Sequence, residues 1–273
     1  MTSNVKAMKI ITRDDIDVTK QCTWKEKELE EFRDMVLKDT ELNSRTDDIF
    51  LLGFLRSRKY NKEDALQLLR NYYSIRRRVK ELKNLTPSAL EHVLQENVMA
   101  YLCVDGEKFL GFGRASHWDV TKISAIDLGR CIMLYIDLAL NIHSFQVNGV
   151  SIIVDVKTVS WKHVLQLTPG VIKLLLLCFY KTLPVSYKSI HFVNINDYLL
   201  GIYALTRPLI PTKIKQRIHF HGSNMEALHK EIDPKYLPVE FGGTLHSFDW
   251  SSPNQLIMEN EEFYVENEKY WNN

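Results

Sequence analysis

Two short apolar runs separated by one capped helix constrain the fold of this chain more than any other feature. Val150, Ile152, Ile153 and Val154 form the first run, which stops at Asp155. The second is Ser189 to Asn196, and between them Thr168-Pro169 opens a helix running to about Thr182, with Pro184 just beyond it. A threonine before a proline is an N-cap followed by a first-turn residue that needs no amide hydrogen. The flanking runs are too short for helices and rich in β-branched residues, so they read as buried strands. Strand, helix and strand in this order form a parallel pair with a right-handed crossover.

The chain before this unit changes character near residue 95. Residues 24–38 mix Glu and Lys with Leu29, Phe32, Val36 and Leu37, an amphipathic helix. Asp47 and Asp48 precede Ile49 to Leu55, and Asn61 precedes a helix carrying Ala65, Leu68, Leu69 and Tyr72 on one face. That helix ends in Arg76-Arg77-Arg78, which suits the negative pole of a helix dipole. Pro87 introduces another short helix to about Gln95. Past that point Val98 to Val104 and Phe109 to Phe112 flank Asp105-Gly106-Glu107-Lys108, a hairpin signal, and a long helix is expected from Ser124 to Phe145. The fold class is α/β: an all-helical domain over 1–95, an α/β domain over 96–246, and an acidic tail, helical or irregular, over 247–273.

Charge is distributed unevenly. Residues 1–155 carry 23 basic and 23 acidic side chains, residues 156–225 carry nine Lys/Arg against Asp197 alone, and residues 226–273 carry three bases against ten acids. The middle block is therefore +8 and the last −7, although the chain as a whole is +1. A concentrated basic block points to an anionic surface or ligand, unless the tail folds over the block and neutralises it. The longest apolar run, Leu174 to Tyr180, is closed by Lys173 and Lys181 and falls far short of the ~20 residues of a spanning helix. With 45% hydrophobic residues and no apolar stretch after Met1, a folded, soluble, intracellular protein is expected. Cys22, Cys103, Cys131 and Cys178 are scattered without a C-x-x-C pair, so no disulfide framework or zinc knot is expected.

Two helices are unusual. In 169–182 the apolar side chains cover nearly the whole circumference, so this helix is either sandwiched in solid core or lines a lipid-sized cavity. Residues 198–210 are apolar, lack acids and run into Pro211 and Lys213-Ile-Lys-Gln-Arg217. That is either a core helix before a solvated basic face or a segment resting on an anionic membrane.

Phosphate-cradling and nucleophile-elbow motifs are absent, and Gly111-Phe-Gly113 is a lone G-x-G without a helix behind it. His219-Phe-His221 places two imidazoles on one strand face, with His229 nearby, but the spacing supplies no third ligand. No catalytic residue, cofactor or metal is assigned.

Several segments resemble one known family. Asp48-Ile-Phe-Leu-Leu-Gly-Phe-Leu-Arg-Ser-Arg-Lys-Tyr60 and Ala65 to Arg76 are similar to the N-terminal helical motif of CRAL-TRIO lipid-binding proteins. Gly149-Val-Ser-Ile-Ile-Val-Asp155, Leu165-Gln-Leu-Thr-Pro169, Ile190 to Asn194, Arg217 to Gly222 and Leu237 to Thr244 resemble the rest in order and spacing. The resemblance covers residues 47–245. It implies a helical domain followed by an α/β lipid-binding domain that encloses one tocopherol-, retinoid- or phospholipid-like ligand under a mobile gate helix. The cavity reading of 169–182 and the membrane reading of 198–210 follow from it.

By the same resemblance, ligand-lining candidates are Ile132, Met133, Ile136, Val150, Ile152, Val154, Leu167, Leu175, Cys178, Phe179, Leu183 and Ile190. Strand alternation independently puts Val150, Ile152 and Val154 on one face. Basic side chains that in a family member hold a phosphoinositide head group fall at Arg58, Lys188, Lys213 and Arg217. Two positions depart from the family pattern, Ser186 in place of a basic residue and Asn194-Ile195-Asn196 near the gate. The implied function is non-enzymatic: a monomeric cytoplasmic lipid-transfer protein, transiently peripheral on endosomal or other intracellular membranes, with no nucleic-acid partner. The alternative is a lipid-sensing scaffold that recruits a protein partner.

Overall fold

The computed structural model describes residues 23–104 and 108–271. Cys22 and the hairpin-turn residues Asp105, Gly106 and Glu107 lie outside the described residues, as does the first part of the expected helical domain.

Helices α1 (Glu26–Lys38), α2 (Asp48–Ser57), α3 (Lys62–Arg78) and α4 (Glu91–Leu94) form the N-terminal part. The expected caps are present. The Asp47 side chain accepts the Phe50 amide at 3.2 Å, and Asn61 accepts that of Asp64 at 3.0 Å. The apolar faces meet with Leu29, Phe32, Phe50, Phe54, Leu69 and Tyr72 almost fully excluded from solvent.

Five strands follow: β1 (Met99–Val104), β2 (Lys108–Arg114), β3 (Val150–Asp155), β4 (Tyr187–Val193) and β5 (Ile218–Gly222). They lie side by side in chain order, β1 antiparallel to β2 and all later neighbours parallel. Helices α5 (Ala125–Ala139) and α6 (His143–Asn148) connect β2 to β3. Helices α7 (Trp161–Gln166) and α8 (Pro169–Lys181) connect β3 to β4, and α9 (Asp197–Thr206) and α10 (Thr212–Lys215) connect β4 to β5. Thr168 caps α8 as the sequence indicates, accepting the Val171 amide at 3.3 Å.

One helix differs from expectation. The chain from Ser124 to Phe145 is broken after Ala139, because Asn141 turns its amide back onto the carbonyls of Asp137 and Leu138 at 3.1 and 3.0 Å. A short polar side chain that takes these acceptors offers the backbone an alternative to continuing the helix.

One face of the sheet, carrying Leu102, Leu110, Phe112 and Ile153, is covered by α11 (Met225–His229) and by Ile232, Leu237 and Phe241. The other face looks towards α5. The acidic tail is neither irregular nor spread over the basic block. It forms α12 (Ser252–Glu259) and α13 (Glu261–Glu268), and Ile257, Tyr264 and Trp271 are buried in the same core as α1–α3. Its acids serve the helical region, Glu268 accepting the Leu85 amide at 2.7 Å and Glu261 that of Ser88 at 2.9 Å. Among the described residues, no Lys or Arg of 156–225 pairs with an acid of 226–271.

The helical part is also locked to the α/β part from inside. Arg76 of α3 donates to both oxygens of Asp137 of α5 at 2.8 and 2.9 Å, and the Tyr72 hydroxyl donates to the same carboxylate at 2.9 Å. Arg76 and Asp137 are 0% and 3% exposed.

Candidate functional site

Between α5 and its face of the sheet lies a cavity of about 340 Å3 with an almost wholly apolar wall. Helix α5 contributes Leu128, Ile132, Tyr135, Ile136 and Ala139, spaced by the three- and four-residue steps that share one helix face. Strand β3 contributes Val150, Ile152 and Val154, the alternating set. Opposite them in β2 stand Gly111, paired with Ile152, and Gly113, paired with Val154. A Cβ on Gly111 would sit 3.7 Å from Ile152 and one on Gly113 would sit 3.3 Å from Val154, so larger residues here would fill the space. Leu167, just past α7, and Leu199 of α9 also line it, as do Tyr101, Trp118 and Phe192.

Six of the twelve candidate residues therefore line the cavity: Ile132, Ile136, Val150, Ile152, Val154 and Leu167. The other six lie away from it. Met133 is one step around α5 from Ile132 and is buried in the main core, as are Cys178 and Leu183. Leu175 is held against α5 at Gly129, where an added Cβ would meet its Cδ2 at 2.4 Å. Phe179 packs on the main core, and Ile190 sits between Ile152 and Ile218 without reaching the cavity.

The reason lies in α8. It packs against α3 and α5, and it keeps only Cys178 fully buried, with Leu177 38% and Tyr180 36% exposed. An apolar circumference here means one side on solid core and another at the surface, not a cavity wall.

The sequence reading did not include Tyr101, Gly111, Gly113, Trp118, Tyr135, Phe192 or Leu199. The discounted G-x-G carried the signal: two glycines spaced by two in a strand clear one face of that strand. The polar atoms of the wall are mostly occupied. Trp118 Nε1 donates to the Ile123 carbonyl at 2.9 Å, and the Tyr135 hydroxyl donates to Asn254 Oδ1 at 2.6 Å. Burial raises the pKa of the Tyr101 phenol well above its ordinary value, so it remains a neutral donor; its hydroxyl has no hydrogen-bond partner among the described residues.

Outside the cavity mouth, α9 has no fully buried residue. Tyr198 and Leu205 are 60% and 82% exposed, and Trp161 and Leu165 of the adjoining α7 are also exposed. A few residues further along the chain, basic side chains gather around Lys213. The Lys213 ammonium is pushed below its ordinary pKa by partial burial and by the charges of Arg217, Arg58 and Lys59. Arg58 thus faces Lys213 across 155 residues of chain, with Lys59, which the sequence reading did not include, beside it. Helix α10 is a single turn, so Arg217 lies beyond it and is held instead by donating to the Tyr187 carbonyl. Lys188 follows Tyr187 and is exposed, its stem near Gly149. None of Arg58, Lys59, Lys188, Lys213 and Arg217 forms an ion pair among the described residues. No helix among the described residues is long and apolar enough to cross a membrane.

Residues 107–243 match the CRAL/TRIO domain. The chain is 32% identical to Clavesin-2 of Homo sapiens over 242 residues, 86% of this chain and 73% of that protein. It is 31% identical to Clavesin-1 of Xenopus laevis over 241 residues, 85% of this chain and 71% of that one. Among solved structures it is similar to Sfh5 at a TM-score of 0.49 and 13% identity, covering 92% of this chain and 99% of that one. With the family match spanning half of the sequence, and relatives of this identity along most of it, the chain belongs to the CRAL/TRIO family of lipid-binding proteins.

Proposed function

We propose that this protein shields one apolar lipid in the cavity and exchanges it at membranes bearing phosphoinositides. The observation that carries the reading is the combination of an apolar cavity closed partly by Leu199 with an outward-facing apolar α9 followed along the chain by a cluster of unpaired cations around Lys213. A cavity of this size is at the lower end of the roughly 300–1,000 Å3 usual for ligand sites. Its wall suits a largely hydrocarbon ligand, with Ile132, Ile136, Val150, Ile152, Val154 and Leu167 as contacts and the Tyr101 hydroxyl as a handle for one polar group. Arg58, Lys188, Lys213 and Arg217, with Lys59, are the head-group candidates.

On this reading α9 is the gate, residues 1–95 and 96–246 act as helical and lipid-binding units, and 247–273 acts as a strap between them. The protein works in the cytoplasm as a monomer, visits membranes transiently, and performs no covalent step. The rival reading of a lipid-sensing scaffold draws no support from the tail as a docking segment, because Tyr264 and Trp271 are buried within the molecule.

The test is transfer of a fluorescent lipid from neutral donor vesicles to acceptors with and without phosphatidylinositol bisphosphate. Wild type should transfer faster to the phosphoinositide acceptors, and Val154→Trp should abolish uptake by filling the cavity. Changing Arg58 and Lys213 to Ala removes about 1 kcal/mol of membrane attraction each, a roughly 30-fold weaker vesicle binding that higher salt should mask. Arg217 is avoided because it also supports the Tyr187 carbonyl. Transfer by wild type no faster than spontaneous exchange would sink the proposal.

A further inference from the structure

Three histidines stack on the side of the sheet turned away from the cavity. His191 of β4 pairs with His219 of β5 in the ladder, their ring centroids 5.0 Å apart, and the His221 ring lies 5.1 Å from that of His191. Strand alternation puts His191 on the same face as Ile153, its partner in β3, whereas Phe192 and Phe220 stack on each other on the opposite face. His191 is 0% exposed, yet its Nε2 has no hydrogen-bond partner. Its Nδ1 meets His221 Nε2 at 2.8 Å.

A neutral imidazole carries one N–H. If His191 donates from Nδ1 to His221, its Nε2 is a bare lone pair. The opposite tautomer would bury an N–H with nothing to receive it, which is costly. The first arrangement is the one a metal-ligating histidine adopts, with one nitrogen held by a neighbour and the other free to ligate.

A carboxylate completes the group. Glu231, just past α11, places Oε1 3.2 Å from His219 Nδ1. One donor atom each from His191, His219 and Glu231 lie within 4.8 Å of one another. His229, the neighbour visible in the sequence, is turned away, its Nε2 3.1 Å from the Phe241 carbonyl oxygen.

We propose that His191, His219 and Glu231 bind one divalent transition-metal ion, zinc by the nature of the ligands, with His221 positioning His191. Two imidazoles and a carboxylate suit zinc, with a fourth place left for water. Zinc–ligand distances of about 2.0–2.2 Å put tetrahedral donors roughly 3.3 Å apart, so the group contracts on binding. His191 is fixed in the sheet, while His219 and Glu231, with side chains 35% and 39% exposed, have room to close on it. An ion there ties β5, the edge strand that follows α9 and α10, to the turn after α11.

The full-length chain, freed of metal by a chelator, is titrated with Zn2+ at neutral pH by calorimetry, with Tm followed in parallel. One ion per chain should bind and raise Tm, and Mg2+ should do neither. His219→Ala and Glu231→Gln each alter a partly exposed side chain and should fold, yet weaken zinc binding at least about tenfold; His221→Ala should cost about 10–100-fold through His191. Absence of zinc binding to wild type, or equal binding by His219→Ala and Glu231→Gln, would overturn the assignment, the latter result placing the ion elsewhere.

Discussion

Arg76 shows what a single residue hides from its sequence context. In Arg76-Arg77-Arg78 it reads as one of three cations at a helix end, but it is fully buried and forked onto Asp137, 61 positions away. No local pattern marks a partner at that separation, whereas the Asp47 and Asn61 caps, whose partners lie three residues on, were legible. Removing the carboxylate alone leaves a buried cation without its counter-charge. Asp137→Ala should therefore cost about 3–5 kcal/mol in urea unfolding, while the apolar pair Arg76→Met with Asp137→Leu should cost far less or stabilise.

Gly111 makes the complementary point: it matters for the side chain it lacks. Gly111→Val adds three carbons on the cavity side and removes a flexible residue from a strand interior. Tm should hold or rise while lipid uptake falls at least about tenfold, read by a fluorescent-lipid titration beside a melting curve. Loss of Tm with normal uptake would mean that the face of β2 is not a ligand wall.

At the scale of elements, β3 and the start of α8 were readable because strand alternation and an N-cap are local. The break after Ala139 was not, since an apolar helix pattern continues through Leu140 and Ile142 and only the inward turn of Asn141 interrupts it. The surroundings of α8 were misjudged for a different reason. Apolar periodicity reports how much of a helix is greasy, not whether its neighbour is protein, cavity or surface. Helix α9 has the same ambiguity, and here exposure decides what to test. Leu205 is 82% exposed, so Leu205→Asp should change stability by less than about 0.5 kcal/mol. If α9 inserts into bilayers, the lost burial of one leucine, about 1.5–3 kcal/mol, should weaken vesicle binding by roughly 10–100-fold in co-sedimentation. Unchanged sedimentation would remove α9 from the membrane contact.

The whole molecule brings together what the sequence holds far apart. Six of the twelve cavity candidates lie on the wall, five of them on α5 and β3, where side chains repeat at regular spacing, and Leu167 just past α7. The other six lie off it because the depth to which a helix reaches towards a sheet depends on packing partners such as Gly129 and Leu175. The basic cluster joins Arg58 in the helical part to Lys213 near β5, a meeting that only resemblance to a family, and not spacing, could anticipate. The tail likewise reads as a run of acids but supplies Tyr264, whose hydroxyl donates to the Leu134 carbonyl at 2.8 Å in the middle of the main core.

That α9 has no fully buried residue has a kinetic meaning. The cavity has one thick side, where β3 and α5 are backed by further layers of protein, and one side a single helix deep. Spontaneous breathing of the fold should follow that asymmetry, since segments with few buried contacts open at a small fraction of the global unfolding free energy. Amide hydrogen exchange on the lipid-free protein should then show residues 197–206 exchanging orders of magnitude faster than 150–155, and a bound lipid should slow the first group much more than the second. The exit route would in that case be written into the fold before any membrane is met, with the bilayer only prolonging an opening that the protein already makes by itself.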